Sequence, residues 1–184
     1  PIYGCELYMD SVESLSEASL KKDPPRHLLA LALSSKGFSN LVKILSIAHK
    51  TNFRKKPRTT LEHIREYSED VYFSSACIAG ELPSLLLENR ETDAREFFRK
   101  MRDATDGKFA VELVDTGDAD KRGLEMNARL YDFAQSEGAR TILTCDAHCF
   151  PRDLEWYPYI MAASRKTSLE KMNAKASDGE TEYG

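Results

Sequence analysis

Apolar residues follow two different spacings along the chain, and these spacings predict strands and helices in turn. Short β-branched or continuously apolar runs predict strands at 2–8, 27–33, 71–73, 109–113 and 140–144. Apolar residues three or four apart predict helices at 38–48, 60–67, 82–86, 94–101, 124–134 and 154–163. The run at 27–33 is apolar throughout, which is typical of a strand covered on both faces. Strands that alternate with helices predict an α/β fold with a mainly parallel sheet.

Polar residues lie near the ends of several predicted strands. Asp146 and His148 follow the last strand, and residues two apart on an extended backbone point to the same side. Glu6 lies within the first strand, and Cys77 follows the third. Because sites in α/β folds form at the carboxyl ends of strands, we expect these four side chains to meet.

His27 fits the same cluster under one condition. It begins its strand, and its side chain lies beside Glu6 only if that strand runs antiparallel to the first. Carboxylate, imidazole and thiolate together suit zinc and, with the oxygen ligands, manganese. The alternatives are ordinary structural roles, with Cys77 as a small core residue and the pair Asp146 and His148 as a hydrogen-bonded turn.

Two further groups each allow two interpretations. Glu112 is either an inward carboxylate that supports the metal ligands or an exposed edge residue, and the alternation does not decide. Residues 50–58 hold five cations and one aromatic ring, which is typical of a phosphate-contacting loop or of a solvated charge run. The candidate DNA contacts in this predicted loop are Arg54, Lys55, Lys56 and Arg58.

Composition excludes several classes of protein. The 184 residues include 26 basic and 30 acidic side chains, and a net charge of −4 argues against nucleic-acid binding over the whole surface. No apolar run approaches the ~20 residues that a membrane helix needs, which predicts no membrane association. Four cysteines without a CxxC pair or a signal segment predict reduced thiols in a cytoplasmic protein. Because the chain opens on Pro1 and directly on a strand, we expect a piece of something longer.

Seven segments, taken in order, resemble the polymerase-and-histidinol-phosphatase (PHP) domain at the N-terminus of the bacterial DNA polymerase III alpha subunit. They lie at 1–8, 26–32 (RHLLALA), 36–41, 56–58 (KPR), 75–81 (SACIAGE), 111–113 and 144–148 (TCDAH). The resemblance implies a distorted (β/α)7 barrel whose strand ends hold up to three divalent metal ions, with zinc, manganese or magnesium as the candidates.

The same resemblance implies a ligand set and a domain boundary. The residues that match the last five ligands of the family are Glu6, His27, Cys77, Asp146 and His148. The first four ligands would precede Pro1, which implies that 1–174 is the C-terminal two-thirds of the domain, a partial barrel with an open sheet edge. Residues 175–184 would be a mobile tail that leads toward a polymerase region.

Function is also an expectation from the resemblance. It implies a fragment of a replicative DNA polymerase, a nucleotidyltransferase, in which the PHP domain supports 3′ to 5′ proofreading hydrolysis in some members and serves as a structural or docking domain in others. The expected partners are DNA, through the parent polymerase, and other replisome subunits. A stand-alone phosphatase for a small phosphorylated substrate is the remaining alternative. The isolated fragment is expected to show little or no activity.

Overall fold

A computed structural model describes residues 1–10, 24–115, 121–145, 147, 156, 157, 159 and 160. By its internal contacts the chain divides into two compact units, Pro1–Thr144 and Cys145–Gly184. In the second unit the amide of Ile160 donates to the carbonyl of Trp156 at 3.1 Å, as in a helical turn. Most of the predicted helix 154–163, the predicted boundary at 174 and the predicted tail all lie outside the described residues.

The first unit alternates strands and helices, which confirms the predicted α/β class. Its strands are β1 Gly4–Met9, β2 Arg26–Ala32, β3 Phe53–Arg54, β4 Lys56–Thr59, β5 Val71–Ser74, β6 Phe109–Val114 and β7 Thr141–Thr144. Its helices in the described ranges are α1 Ser35–Thr51, α2 Leu61–Tyr67, α3 Glu81–Leu87, α4 Glu91–Ala104 and α5 Lys121–Glu137. Each element that the apolar spacing predicts here lies within a few residues of its expected position, because that spacing is local.

The sheet has the strand order β3-β4-β1-β2-β5-β6-β7 and mixed directions. The prediction of a mainly parallel sheet was wrong for β2, which runs antiparallel to both β1 and β5. Antiparallel neighbours need no crossover connection, so β2 can pair with β1 in the opposite direction. The pairs β1 with β4, β5 with β6 and β6 with β7 are parallel. The condition under which His27 would lie beside Glu6 is therefore met.

A continuous apolar core lies between the sheet and the helices. Its largest fully buried side chains include Phe73, Phe98, Met9, Leu28, Ile44, Ile64, Leu82 and Met101. Strand β2 contributes Leu28 and Ala30 to this core, while Leu29 and Leu31 are half-buried. The expectation that β2 is covered on both faces holds only in part, because one face is fully enclosed and the other is half-buried.

The cationic segment is a β-hairpin and not the predicted loop. Strands β3 and β4 pair antiparallel around Lys55, whose φ of 64° is in the left-handed region. Strand β4 also pairs with β1 through Tyr8 with Arg58 and Met9 with Thr59. The sequence pattern did not predict this hairpin, because lysine and proline are poor strand formers. Its pairing places the basic residues beside β1, at the β3–β4 end of the sheet.

The other edge of the sheet is open in the described part of the chain. Strand β7 pairs with β6 and has no second neighbour in the sheet order, and Leu143 on it is 73% exposed. The architecture is consistent with the partial (β/α)7 barrel that the resemblance implies. None of the helices among these residues combines the length and the apolarity needed to cross a bilayer.

Candidate metal centre

Three predicted ligands converge at one end of the sheet. Glu6 lies on β1, His27 is the second residue of β2, and Cys77 lies in the turn after β5. The Nδ1 atom of His27 is 3.2 Å from Oε1 of Glu6 and 3.6 Å from Sγ of Cys77. All three donor atoms lie within 4.8 Å of one another. Carboxylate, imidazole and thiolate therefore face a common point.

The antiparallel register of β1 and β2 places Glu6 beside His27. His27 lies opposite Tyr8, and Glu6 is two residues before Tyr8 on the same face of β1. Diagonal neighbours on adjacent strands are within reach of long side chains. The ion pair between Glu6 and His27 is thus a direct result of strand pairing.

Backbone contacts hold the Cys77 turn against the start of β2. The amide of His27 donates to the carbonyl of Ala79 at 3.1 Å, and the amide of Gly80 donates to the carbonyl of Cys77 at 2.8 Å. Gly80 also forms a parallel bridge with His27. A Cβ on Gly80 would lie 2.0 Å from the carbonyl oxygen of Ser75, which leaves room only for glycine.

An ion pair fastens the residues that flank two of the ligands. Nε of Arg26 lies 3.1 Å from Oε2 of Glu81, and Nη1 of Arg26 donates to Oγ of Ser84 at 2.8 Å. Arg26 precedes His27, and Glu81 begins the helix that follows the Cys77 turn. The sequence interpretation missed both residues, although a charged residue at the start of the apolar segment after Cys77 was a usable signal.

The environment of His27 favours a positive charge. The pKa of His27 is raised from 6.5 to about 10, first by its hydrogen bond with Cys77 and then by its hydrogen bond with Glu6, with burial acting in the opposite direction. A carboxylate and a sulfur beside the same ring nitrogen, Nδ1, stabilise the positive charge of the protonated imidazole. A divalent metal ion would supply the same positive charge at this point.

The spacing of the donors fits a zinc ion. Zinc bound tetrahedrally at about 2.0–2.3 Å from each ligand sets neighbouring donor atoms about 3.4–3.6 Å apart. The two separations at Nδ1 of His27, 3.2 and 3.6 Å, are close to this spacing. His27 and Cys77 are half-buried, while the side chain of Glu6 is 42% exposed and opens the group toward solvent. The residues present therefore fit a metal ion that keeps an accessible side.

Asp146 and His148, the other two predicted ligands, lie outside the described residues. Their neighbours Cys145 and Ala147 are exposed and belong to the second unit. Their role as ligands stays a prediction.

Tyr8 is a neighbour of this centre that the sequence interpretation missed. Its ring meets the ring of His27 edge-on, with centroids 5.3 Å apart. Its hydroxyl accepts a hydrogen bond of 2.8 Å from Nζ of Lys56 on β4. The two-residue spacing from Glu6 was the available signal, because it puts both side chains on one face of β1.

Glu112 is buried, with 5% of its surface exposed, and this answers the question that the alternation left open. Its carboxylate accepts hydrogen bonds from Oγ of Ser74 and, at 2.8 Å, from Oγ1 of Thr144. Its amide donates to Oγ of Ser75 at 2.8 Å, at the beginning of the Cys77 turn. Glu112 thus ties β5, β6 and β7 together.

Replacing Glu112 with leucine is expected to lower the free energy of unfolding by about 2–3 kcal/mol, because the buried hydroxyl of Ser74 and the half-buried hydroxyl of Thr144 lose a charged acceptor. Urea unfolding would measure the loss. The matched control is Glu96→Gln, which removes the negative charge of an exposed carboxylate paired with Lys100 and should cost less than ~0.5 kcal/mol. Equal losses for the two variants would contradict the role assigned to Glu112.

The four predicted DNA contacts differ in position. Lys55 and Lys56 are exposed, and the side chain of Arg54 lies outside the described part of the chain. Arg58 is only 6% exposed, and its Nη1 donates to Oδ1 of Asp10 at 3.1 Å. This burial argues against the predicted contact of Arg58 with DNA.

Comparison with known proteins connects this geometry to a family. The family model described as "PHP domain" matches residues 1–116. The chain is 31% identical over 158 residues to a DNA polymerase III subunit alpha of Borreliella burgdorferi, a match that covers 83% of this chain and 13% of that protein. It is 34% identical over 152 residues to the corresponding subunit of Treponema pallidum, covering 80% of this chain and 13% of the relative.

A third relative is a DNA polymerase III of the PolC type from Clostridium perfringens, 30% identical over 155 residues, which covers 80% of this chain and 11% of that protein. The chain thus spans only a small part of the length of these relatives. The resemblance inferred from the seven segments is confirmed. Because the family match covers more than half of the residues, this chain belongs to the PHP domain family.

Proposed function

We propose that this chain is the PHP region of a replicative DNA polymerase and that it holds divalent metal ions for phosphodiester hydrolysis at a 3′ end. The observation that carries the proposal is the convergence of Glu6, His27 and Cys77, whose donor atoms lie within 4.8 Å of one another. The names of the relatives supply the replicative context.

Each of the three residues has a separate task in this proposal. Cys77 and His27, both half-buried, hold the ion on its protein side and favour zinc, since thiolate and imidazole are the softer donors. Glu6 offers the oxygen ligand on the exposed side. A divalent ion bound here supplies Lewis-acid stabilisation of negative charge on a phosphodiester. Manganese and magnesium remain candidates if Asp146 and His148 add further donors.

The substrate in this proposal is a 3′ end of DNA, and the expected partners are DNA and other subunits of a replisome in the cytoplasm. Lys55 and Lys56 on the exposed hairpin, together with Arg54, are the proposed phosphate contacts. Contacts of this kind are independent of base sequence and weaken as salt rises. A proofreading activity needs that independence, because a misincorporated nucleotide can carry any base.

Loss of Cys77 tests the metal centre. Cys77→Ala is expected to weaken zinc binding by about 100-fold or more, since it removes a ligand and even the partners of ligands contribute 10–100-fold. Competition with a chromogenic chelator would measure the affinity. The matched control is Cys5→Ala, which removes a half-buried thiol that is not part of the cluster and should leave zinc affinity within about threefold. Equal affinities for wild type and Cys77→Ala would refute the site.

Activity is tested on the full-length protein. Cys77→Ala should abolish removal of a mismatched 3′ nucleotide from a primer, while nucleotide addition by the same preparation serves as the internal reference. Unchanged mismatch removal would leave the metal centre without a hydrolytic role.

A second candidate function, structural docking within the polymerase, is favoured by one surface. Ile2 is 80% exposed, and the exposed rings of Tyr3 and Phe38 contact each other at 5.5 Å between centroids. Exposed apolar groups in contact are typical of interaction surfaces. A docking domain would tolerate Cys77→Ala in proofreading assays, and Tyr3→Ser would then weaken assembly.

A further inference from the structure

We propose that Tyr8 and Lys56 form a phosphate-binding subsite beside the metal centre, which takes a phosphate of the DNA strand next to the bond that is cut. The inference rests on the proposed function, because it assigns a second contact to the same phosphodiester substrate. The subsite is more specific than a basic surface, because one lysine and one phenol bind the phosphate together.

Strand geometry places the subsite next to the cluster. Tyr8 lies two residues after Glu6 on β1 and directly opposite His27 on β2. Its ring packs edge-on against the imidazole, with 5.3 Å between centroids and 76° between planes. One aromatic ring therefore separates the metal ligand His27 from the ammonium group of Lys56.

The positive charge of Lys56 is available to an outside anion. Its Nζ lies 2.8 Å from the Tyr8 hydroxyl and 4.1 Å from the centroid of the Tyr8 ring. Among the residues that the structure describes, no carboxylate lies within ion-pair distance of Lys56, whereas Lys36, Lys100 and Lys108 each have one. Because its contact is with a phenol and not with a carboxylate, Lys56 can attract a ligand anion.

The hydrogen-bonding capacity of the pair matches a phosphate. The Tyr8 hydroxyl accepts from Lys56 and keeps its own proton to donate, and the ammonium group keeps two further N–H donors. Two adjacent donor groups, which together offer one O–H and two N–H, and one positive charge suit the non-bridging oxygens of a phosphodiester. Glu6 on the same face weakens anion binding here without abolishing it, and a cation bound at the metal centre would offset that repulsion, which couples the two sites.

The backbone holds Lys56 in place. Lys55 turns the hairpin with a φ of 64°, and Pro57 after Lys56 restricts Lys56 to extended backbone. Pairing of β4 with β1 at Tyr8 and Arg58 then fixes the position of Lys56 along β4 relative to Tyr8. The contact between Lys56 and Tyr8 therefore follows from the hairpin and not from the side chain alone.

The test uses the full chain, a thymidine trinucleotide as the probe, and the phosphorus NMR signals of the trinucleotide, which report binding in the wild type and in every variant. Zinc affinity is measured first, and the trinucleotide is then titrated into the zinc-treated protein. Lys56→Gln should weaken trinucleotide binding by about tenfold or more and reduce its salt dependence by about one phosphate contact. Tyr8→Phe should weaken binding by about threefold or more, since it removes a single neutral donor. Both variants should keep zinc affinity within about twofold.

Lys43→Gln is the matched control, because Lys43 also lies over a tyrosine ring, that of Tyr67, at 5.5 Å. It should leave trinucleotide binding unchanged. Binding by Lys56→Gln equal to that of wild type, or equal weakening by Lys43→Gln, would overturn the subsite. Absence of zinc binding by the wild-type chain would refute the metal centre instead, and the comparison of Lys56→Gln with Lys43→Gln would still decide whether the pair binds phosphate.

Discussion

Replacing Gly80 with alanine is expected to lower the free energy of unfolding by about 3 kcal/mol, at the upper end of the cost of overpacking. The φ of −71° at Gly80 suits any residue, and the cost arises from contact alone, because the new Cβ would lie 2.0 Å from the carbonyl oxygen of Ser75. Relief of that contact must move the Cys77 turn away from His27. We therefore also expect zinc affinity to fall by about tenfold, a size typical of disturbed ligand support.

Gly107→Ala is the control for this change. Gly107 has a φ of +75° and nothing within 4 Å of an added Cβ, which makes its cost one of backbone strain, about 1–2 kcal/mol. Zinc affinity should not change. Urea unfolding measures the change in stability, and chelator competition measures the change in zinc affinity. If Gly80→Ala lowers neither quantity more than Gly107→Ala does, the Cys77 turn can shift without disturbing the centre.

Replacing Arg26 with methionine is expected to lower the free energy of unfolding by about 3 kcal/mol, because it removes the cation from a buried carboxylate. The side chain of Glu81 is 7% exposed and that of Arg26 is 22% exposed, which places the larger desolvation on Glu81. The double variant Arg26→Met with Glu81→Leu should recover most of the loss, since an apolar pair carries no desolvation cost.

The matched control is Lys36→Met, which breaks a surface pair with Glu69 whose side chains are 58% and 65% exposed. It should cost less than about 1 kcal/mol. Thermal or urea unfolding of the wild type and the three variants completes the comparison. A double variant as unstable as the single one would mean that Arg26 acts by its shape and not by its charge.

Local patterns were enough to predict the elements and part of the candidate site. The apolar spacing of each strand and helix is a property of a few adjacent residues, and it located β1, β2 and β5 with the polar residues near their ends. Their positions near strand ends led to the prediction that Glu6 and Cys77 meet, and their donor atoms do lie in one cluster. His27 needed one extra condition, the direction of β2, which the register of β1 and β2 supplies.

Features that depend on tertiary pairing could not be predicted. The alternation at Glu112 fits both faces of β6, and only the neighbours Ser74 and Thr144 show that it is buried. Arg58 has the composition of a phosphate contact, yet its partner Asp10 lies 48 residues away along the chain. The charge of a side chain does not predict whether it faces solvent or a carboxylate, because its surroundings depend on the fold.

Because the three donors lie far apart along the chain, their cluster forms only when the chain is folded. His27 and Cys77 are 50 residues apart, and they meet only after β2 has paired with its neighbours. The unfolded chain has no such cluster of three donors. A metal ion that binds only the folded chain stabilises it, and at high metal concentration the stabilisation rises with the logarithm of that concentration. Binding of a metal ion at this centre would thus report whether distant parts of the polypeptide have folded together.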